Sequence, residues 1–296
     1  VDNLIKAGIY NSATLNGMLT MPERRDVLDK VRLGDTSILL VSPEQFRNRA
    51  FIEAIRMRRI GAWVFDEAHC LSKWGNDFRP DYLYVSRFIR ERHAQSPEEM
   101  APVSCFTATA KQEVIEDIRA HFQEALGMSL HIFDGGHERE NLHYEVIAVG
   151  TPEKNPLIHR LLEMEFGPAR SAPQIGGAVI FAGKRGRTEE ISGFLKDMGW
   201  ACAHYHAGLE PGLKKEIQRS FIAGELRVIV ATNAFGMGVD KPDVRLVIHA
   251  DIPGSLENYL QEAGRAGRDL RNSRCVLLYD EQDVETQFSL SARSRL

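Results

Sequence analysis

Short apolar runs alternate along the chain with longer stretches whose apolar and charged positions recur at helical spacing. The runs fall at 38–41, 62–65 and 103–106 in the first half and at 178–181, 227–231 and 244–249 in the second. They are nearly continuous rather than alternating, as in strands of a parallel sheet covered on both faces. Between them, 113–122 sets Val114, Ile115 and Ile118 against Glu113, Glu116 and Asp117, the period of an amphipathic helix. Thr109 and Gln112, three residues apart, have the spacing of a capping box in front of that helix. This alternation predicts an α/β fold of mainly parallel sheets flanked by helices. Gly135, Gly136, Gly150, Pro152 and Pro156 punctuate 134–156, which reads as an inter-domain connection. Two lobes are expected, at 1–145 and 152–296, with no repeat visible between them. Residues 167–177 read as a loop within the second.

Composition narrows the class. The chain has 296 residues, 37 Lys+Arg against 41 Asp+Glu for a net charge of −4, and 43% hydrophobic residues, which excludes a disordered chain and a disulfide-stapled miniprotein. A slightly acidic chain that binds a polyanion must do so through local groups. The four cysteines, Cys70, Cys105, Cys202 and Cys275, form no C-x-x-C pair, so a reducing compartment and no zinc site within the chain are expected. No apolar run reaches 18 residues; no membrane partner is expected, and the location is read as cytoplasmic, or nucleoid-associated in a prokaryote. The chain begins at Val1 rather than Met, and a truncated or processed N-terminus is expected.

Several clusters can carry chemistry. Residues 61–65 form an apolar strand that delivers Asp66, Glu67 and His69 at its C-terminal end, where open parallel sheets bind ligands. An aspartate there can hold Mg²⁺ directly or through water, and a neighbouring glutamate can deprotonate an attacking water. A helix start would equally explain two adjacent acids. Further on, Gly236 and Gly238 precede Asp240, and Gln261 opens a stretch with Gly264, Arg265, Gly267 and Arg268. Glycines let backbone approach a bound group, and guanidinium forks suit phosphate oxygens. Trp74, Phe78 and Tyr82 recur every four residues. A buried helix face accounts for Tyr82, whereas Trp74 and Phe78, among Lys73, Asn76, Asp77 and Arg79, suit stacking on unpaired bases. Lys184, Arg185 and Arg187 follow a strand and suit phosphates or solvent alike. Arg56, Arg58 and Arg59 read as structural, the face with Phe194, Leu195 and Met198 reads as core, and His204 and His206 are set aside for want of metal-ligand company.

Taken in order, Asp66-Glu67-Ala68-His69, Phe106-Thr107-Ala108-Thr109-Ala110, His206-Ala207-Gly208-Leu209, the 231–240 segment and 261–269 resemble the motifs of superfamily 2 helicases. The 70–82 stretch after the first of these, and 251–260 before the arginines, resemble the RecQ family of DNA helicases. The resemblance implies two tandem RecA-like lobes with ATP between them, Mg²⁺ as cofactor, and 3′ to 5′ movement on single-stranded DNA and single/double-strand junctions. It implies that Asp66 organises the magnesium through water, Glu67 is the base for attack on the γ-phosphate, and His69 relays nucleotide state. Thr107 and Thr109 would couple hydrolysis to lobe movement. Gly238 and Asp240 would lie on the nucleotide side, Asp240 near the ribose; Gln261 and Arg265 would line the cleft, and Arg268 would be the arginine finger. Ser42, Trp74, Phe78, Arg79, His206 and Thr232 would contact DNA or couple to it.

The chain also departs from the family pattern. No G-x-x-x-x-G-K-[ST] phosphate loop occurs in it, so little ATPase activity is expected of these 296 residues alone, although the parent would have it. Phe106 stands where Leu is usual, Asn76 where His is usual, and Leu270 where Gly is customary. Residues 182–185 do not keep the usual polar sequence. Two rival readings are an ATP-independent nucleic-acid-binding or scaffold protein that has lost its phosphate loop, and a superfamily 2 RNA helicase or translocase.

Overall fold

The computed structural model describes residues 1–17, 19–72, 78–95, 100–107, 111–133, 139–169, 176–235, 239–280 and 283, the side chains of residues 2 and 3 excepted. Trp74, Thr109 and Gly238 lie outside the described residues. The chain divides into two compact units, Val1–Asp134 and Gly135–Leu296.

In the first unit, β1 (Ser12–Leu15) pairs in parallel with β2 (Ile38–Val41), and β3 (Trp63–Phe65) with β4 (Val103–Cys105). Helices α1 (Asp2–Lys6), α2 (Met21–Leu33), α3 (Arg49–Arg56), α4 (Asp81–Gln95) and α5 (Gln112–Leu126) complete it. Strand alternation sends Leu39, Val41, Trp63, Phe65, Val103 and Cys105 into a core with Phe51, Phe88, Ile118 and Phe122. The start of α5 corrects the capping-box expectation. Its N-cap is Lys111, and Gln112, already helical, donates from Nε2 to Glu116 at 3.0 Å instead of reaching back. A capping contact does open α2, where the Thr20 backbone N–H donates to the Glu23 carboxylate at 2.8 Å.

The second unit is one six-stranded, all-parallel sheet in the order β5-β10-β9-β6-β8-β7. Its strands are β5 (Leu142–Ala148), β6 (Gly177–Phe181), β7 (Cys202–Tyr205), β8 (Val228–Ala231), β9 (Val244–His249) and β10 (Ser273–Tyr279), with helices α6 (Thr151–Phe166), α7 (Arg185–Asp197), α8 (Pro211–Ala223) and α9 (Leu256–Ala263). One face packs Ala178, Ile180, Val230 and Ile248 under Ile158, Leu162, Ile191 and Leu195 of α6 and α7. The other packs Val179, Phe181, Ile229 and Val247 against Ile217 and Phe221 of α8. Both faces are covered, which explains the continuous apolar runs.

The expected boundaries need correction. Residues 142–148, read as connection and partly as first lobe, are the edge strand β5, paired along its whole length with β10. An edge strand is exposed along most of its length, so the sequence LHYEVIA lacks the apolar run of a central strand, and the flanking glycines and prolines made it read as a linker. Pro152 and Pro156 lie within α6.

Candidate functional site

In the first unit the chemistry collects where β3 ends. Asp66 follows Phe65 and is exposed. Its Oδ1 accepts the Glu67 backbone N–H at 3.0 Å. Glu67 sits at φ +50°, in the left-handed region that costs a side-chain-bearing residue energy and recurs at functional sites. From there a 3-10 turn, Ala68–Leu71, carries His69 back over the site. His69 Nδ1 lies 3.3 Å from Glu67 Oε2 and 3.1 Å from Thr107 Oγ1, so one imidazole bridges the carboxylate to the segment after β4. Backbone bonds fix this register: Ala68 N–H donates to Phe106 O at 2.9 Å and Phe106 N–H to Phe65 O at 2.8 Å.

The segment after His69 is tied down from below. Ser72 Oγ donates to Asp117 of α5 at 2.8 Å. Tyr82 packs its ring near Phe65 and donates its phenolic hydroxyl to the Asp66 carbonyl at 2.9 Å; burial pushes this phenol up to about 12. Tyr82 is half-buried and packed against the core, the side its spacing suggested, and it also props the backbone under the acids. Phe78 is half-buried and Arg79 exposed, and neither lies in a helix. Ser42 caps the 3-10 turn Pro43–Arg47 after β2, and its buried Oγ has no hydrogen-bond partner among the described residues.

In the second unit the described candidates stand at strand ends, on α9 and on the loop that follows it. Asp240 and Arg268 form an exposed ion pair at 3.1 Å, of a kind worth at most about 1 kcal/mol and readily exchanged for a ligand. Arg265 is more buried; burial, and then the like charge of Arg268, lower its guanidinium from the usual range. Two guanidinium groups that repel each other favour an anion between them. The loop carrying them is bound from below, with Arg139 donating to Ala266 O at 3.0 Å and Gly267 O at 2.7 Å, and Asn141 to Gly267 O and Arg271 O, each at 2.9 Å. Arg245, nearly buried, pairs with Asp269 on the same loop. Arg139, Asn141 and Arg245 escaped the sequence reading because nothing local marks them. Gln261 is exposed on α9. Arg187 pairs with Glu190 and Asn155, which makes it structural.

His206 follows β7 and Thr232 follows β8, the latter donating its N–H to Tyr205 O at 3.1 Å. His206, expected to contact DNA or couple to it, is only 6% exposed, and its Nε2 lies 3.1 Å from Glu189 Oε1. Of those two roles, burial favours coupling. His204 stacks on it at 5.4 Å, and burial together with His206 lowers the His204 imidazole from its ordinary value. The two histidines set aside for lack of ligand company thus acquire Glu189 as company.

The acidic pair at a strand end thus lies in one α/β unit and the arginine loop, beside a parallel sheet, in the other. The DEAD/DEAH box helicase family matches residues 1–118 and the helicase conserved C-terminal domain residues 154–269. The chain is 35% identical over 283 residues to the ATP-dependent DNA helicase RecQ of Pasteurella multocida, covering 96% of this chain and 42% of that protein. It is 36% identical to the ATP-dependent DNA helicase RecQ of Bacillus subtilis, covering 99% and 46%. On this evidence the chain belongs to the RecQ family, and it spans less than half the length of these two relatives. Among solved structures, Mss116p bound to single-stranded RNA and AMP-PNP superposes with a TM-score of 0.70 at 19% identity, over 98% of this chain and 57% of that one, a likeness of fold with tandem RecA-like units.

Proposed function

We propose that this chain is the motor core of an ATP-dependent RecQ-type DNA helicase, which couples ATP hydrolysis to 3′–5′ translocation on DNA and unwinding at single/double-strand junctions. The observation that carries the reading is the bridge from Glu67 through His69 to Thr107, which links a water-activating carboxylate to the segment after β4. Asp66 fits magnesium: it is an exposed, hard oxygen donor at a strand end. When bound there, Mg²⁺ would neutralise charge on the nucleotide phosphates. Glu67 orients and deprotonates the attacking water, and His69 holds the Glu67 carboxylate in register. Arg265 and Arg268 stabilise phosphate charge, Arg268 giving up Asp240 to do so, while Gln261 lines the nucleotide site; the resemblance assigns Gly238, outside the described residues, to the same side. Phe78 and Arg79 are assigned to DNA contact, and Ser42, His206 and Thr232 to contact or coupling; the resemblance gives Trp74 and Thr109, outside the described residues, the same duties. We read the location as cytoplasmic, or nucleoid-associated in a prokaryote.

In the full-length protein, Glu67→Gln should lower DNA-stimulated ATP turnover by about 10²- to 10⁴-fold and leave nucleotide binding intact. Unchanged turnover would refute the assignment. Stimulation by single-stranded DNA but not by RNA of the same length separates this reading from an RNA helicase. The 296-residue chain, which contains no phosphate-loop motif, should hydrolyse ATP poorly by itself, whatever polynucleotide is added.

A further inference from the structure

We propose that Glu189, His204 and His206 form a site for a divalent transition metal ion, Zn²⁺ being the best match. His204 and His206 are two apart at the end of β7, so strand geometry sends both side chains to the same side. Glu189, on the second turn of α7, comes down on them from the helix above. Each residue offers one donor atom, and the three atoms all lie within 4.8 Å of one another, the only such group of three among the described residues. Bonds of about 2.0–2.2 Å to tetrahedral zinc put neighbouring donors roughly 3.3–3.5 Å apart. The 3.1 Å between His206 Nε2 and Glu189 Oε1 is already close to one edge of that tetrahedron. Closing the other edges needs a turn of the half-buried His204 ring out of its stack on His206.

The donor set selects the metal. Two imidazoles and one carboxylate suit zinc, nickel or cobalt, whereas magnesium and calcium take oxygen ligands. Three protein ligands leave the fourth position to water, on the side where Glu189 is exposed. No thiol belongs to the group of donors. Two features moderate the affinity. The buried His206 Nδ1 has no hydrogen-bond partner among the described residues, so the outer support that usually strengthens a ligating histidine is lacking. The Arg185 guanidinium also lies close to that edge of the ring, since a Cβ on Gly208 would stand 3.0 Å from Arg185 Nη1 and 3.3 Å from His206 Nδ1. An ion bound here would pin α7 to the end of β7, at the start of the 206–209 segment.

The test uses the chelator-stripped 296-residue chain, titrated with Co²⁺ by visible absorption and with Zn²⁺ by calorimetry. One ion per chain is expected, with a visible cobalt band and a melting temperature raised by zinc. His204→Ala and Glu189→Ala should each weaken binding by at least about 10- to 100-fold, with circular dichroism confirming that both variants fold. His131→Ala, at an exposed histidine elsewhere, should bind as the parent does. The proposal fails if the parent takes up no ion at millimolar metal, or if the two site variants bind as tightly as the parent.

Discussion

Leu270 holds φ +65° on the exposed side of the arginine loop, 76% accessible. A left-handed conformation costs a side-chain-bearing residue about 1–2 kcal/mol, and an exposed leucine recovers little of it by packing. Leu270→Gly removes that strain but gives back about 0.5–1 kcal/mol through the freer unfolded chain. The net expectation is a gain of about 0.5–1 kcal/mol, visible as a raised urea midpoint; a midpoint that falls would show that the leucine is held by contacts. Gly267, three residues earlier, is the converse. It has φ +53°, and a Cβ there would stand 2.5 Å from Asn141 Nδ2 and 2.7 Å from both Arg271 O and Ser273 Oγ. Gly267→Ala should therefore cost about 2–4 kcal/mol. At Glu67 the same backbone region sits beneath a chemical group, and the Ala68–Phe106 and Phe106–Phe65 bonds on either side hold it there.

At the scale of elements, the arginine loop owes its shape to the chain just before β5. Arg139 and Asn141 together satisfy the carbonyls of residues 266, 267 and 271, and a lost partner to such groups costs about 1–3 kcal/mol. Asn141→Ala should destabilise by that amount. In the full-length protein it should lower kcat for ATP more than it raises KM, because Arg265 and Arg268 would be bound less firmly. A stability loss with kcat unchanged would show that the loop keeps its shape unaided. The sequence hid this clamp because β5 reads as a linker. Strands β2, β3, β4, β6, β8 and β9 were legible from their apolar runs. The short β1 and the polar-mixed β7 carry no such run, whereas β10 does, at 275–278, and that run is the signal that could have found it. Site chemistry was legible where it clusters along the chain, as at Asp66 to His69. It was not where the fold joins distant residues: Glu189 lies 15 and 17 positions before the histidines it meets, on a different element.

Across the whole molecule, the two units differ in how their strands are covered. In the second, both faces of the sheet lie under helices. In the first, the alternate positions pointing away from the core are open: Leu40 is 46% exposed, Val64 64% and Phe106 59%. Exposed apolar surface of this kind binds amphiphilic dyes and drives self-association. The 296-residue chain should therefore enhance the fluorescence of an anilinonaphthalene dye while natively folded, and should associate as its concentration rises. Leu40→Lys combined with Val64→Lys should suppress both effects. Each change should move stability by no more than about 0.5 kcal/mol, the usual range for surface positions, because neither side chain gives up core contacts. The measurement pairs dye titration with sedimentation and thermal melts. A drop of several degrees in melting temperature would mean that Leu40 and Val64 are packed in solution, and that this side of the first unit's strands is covered after all.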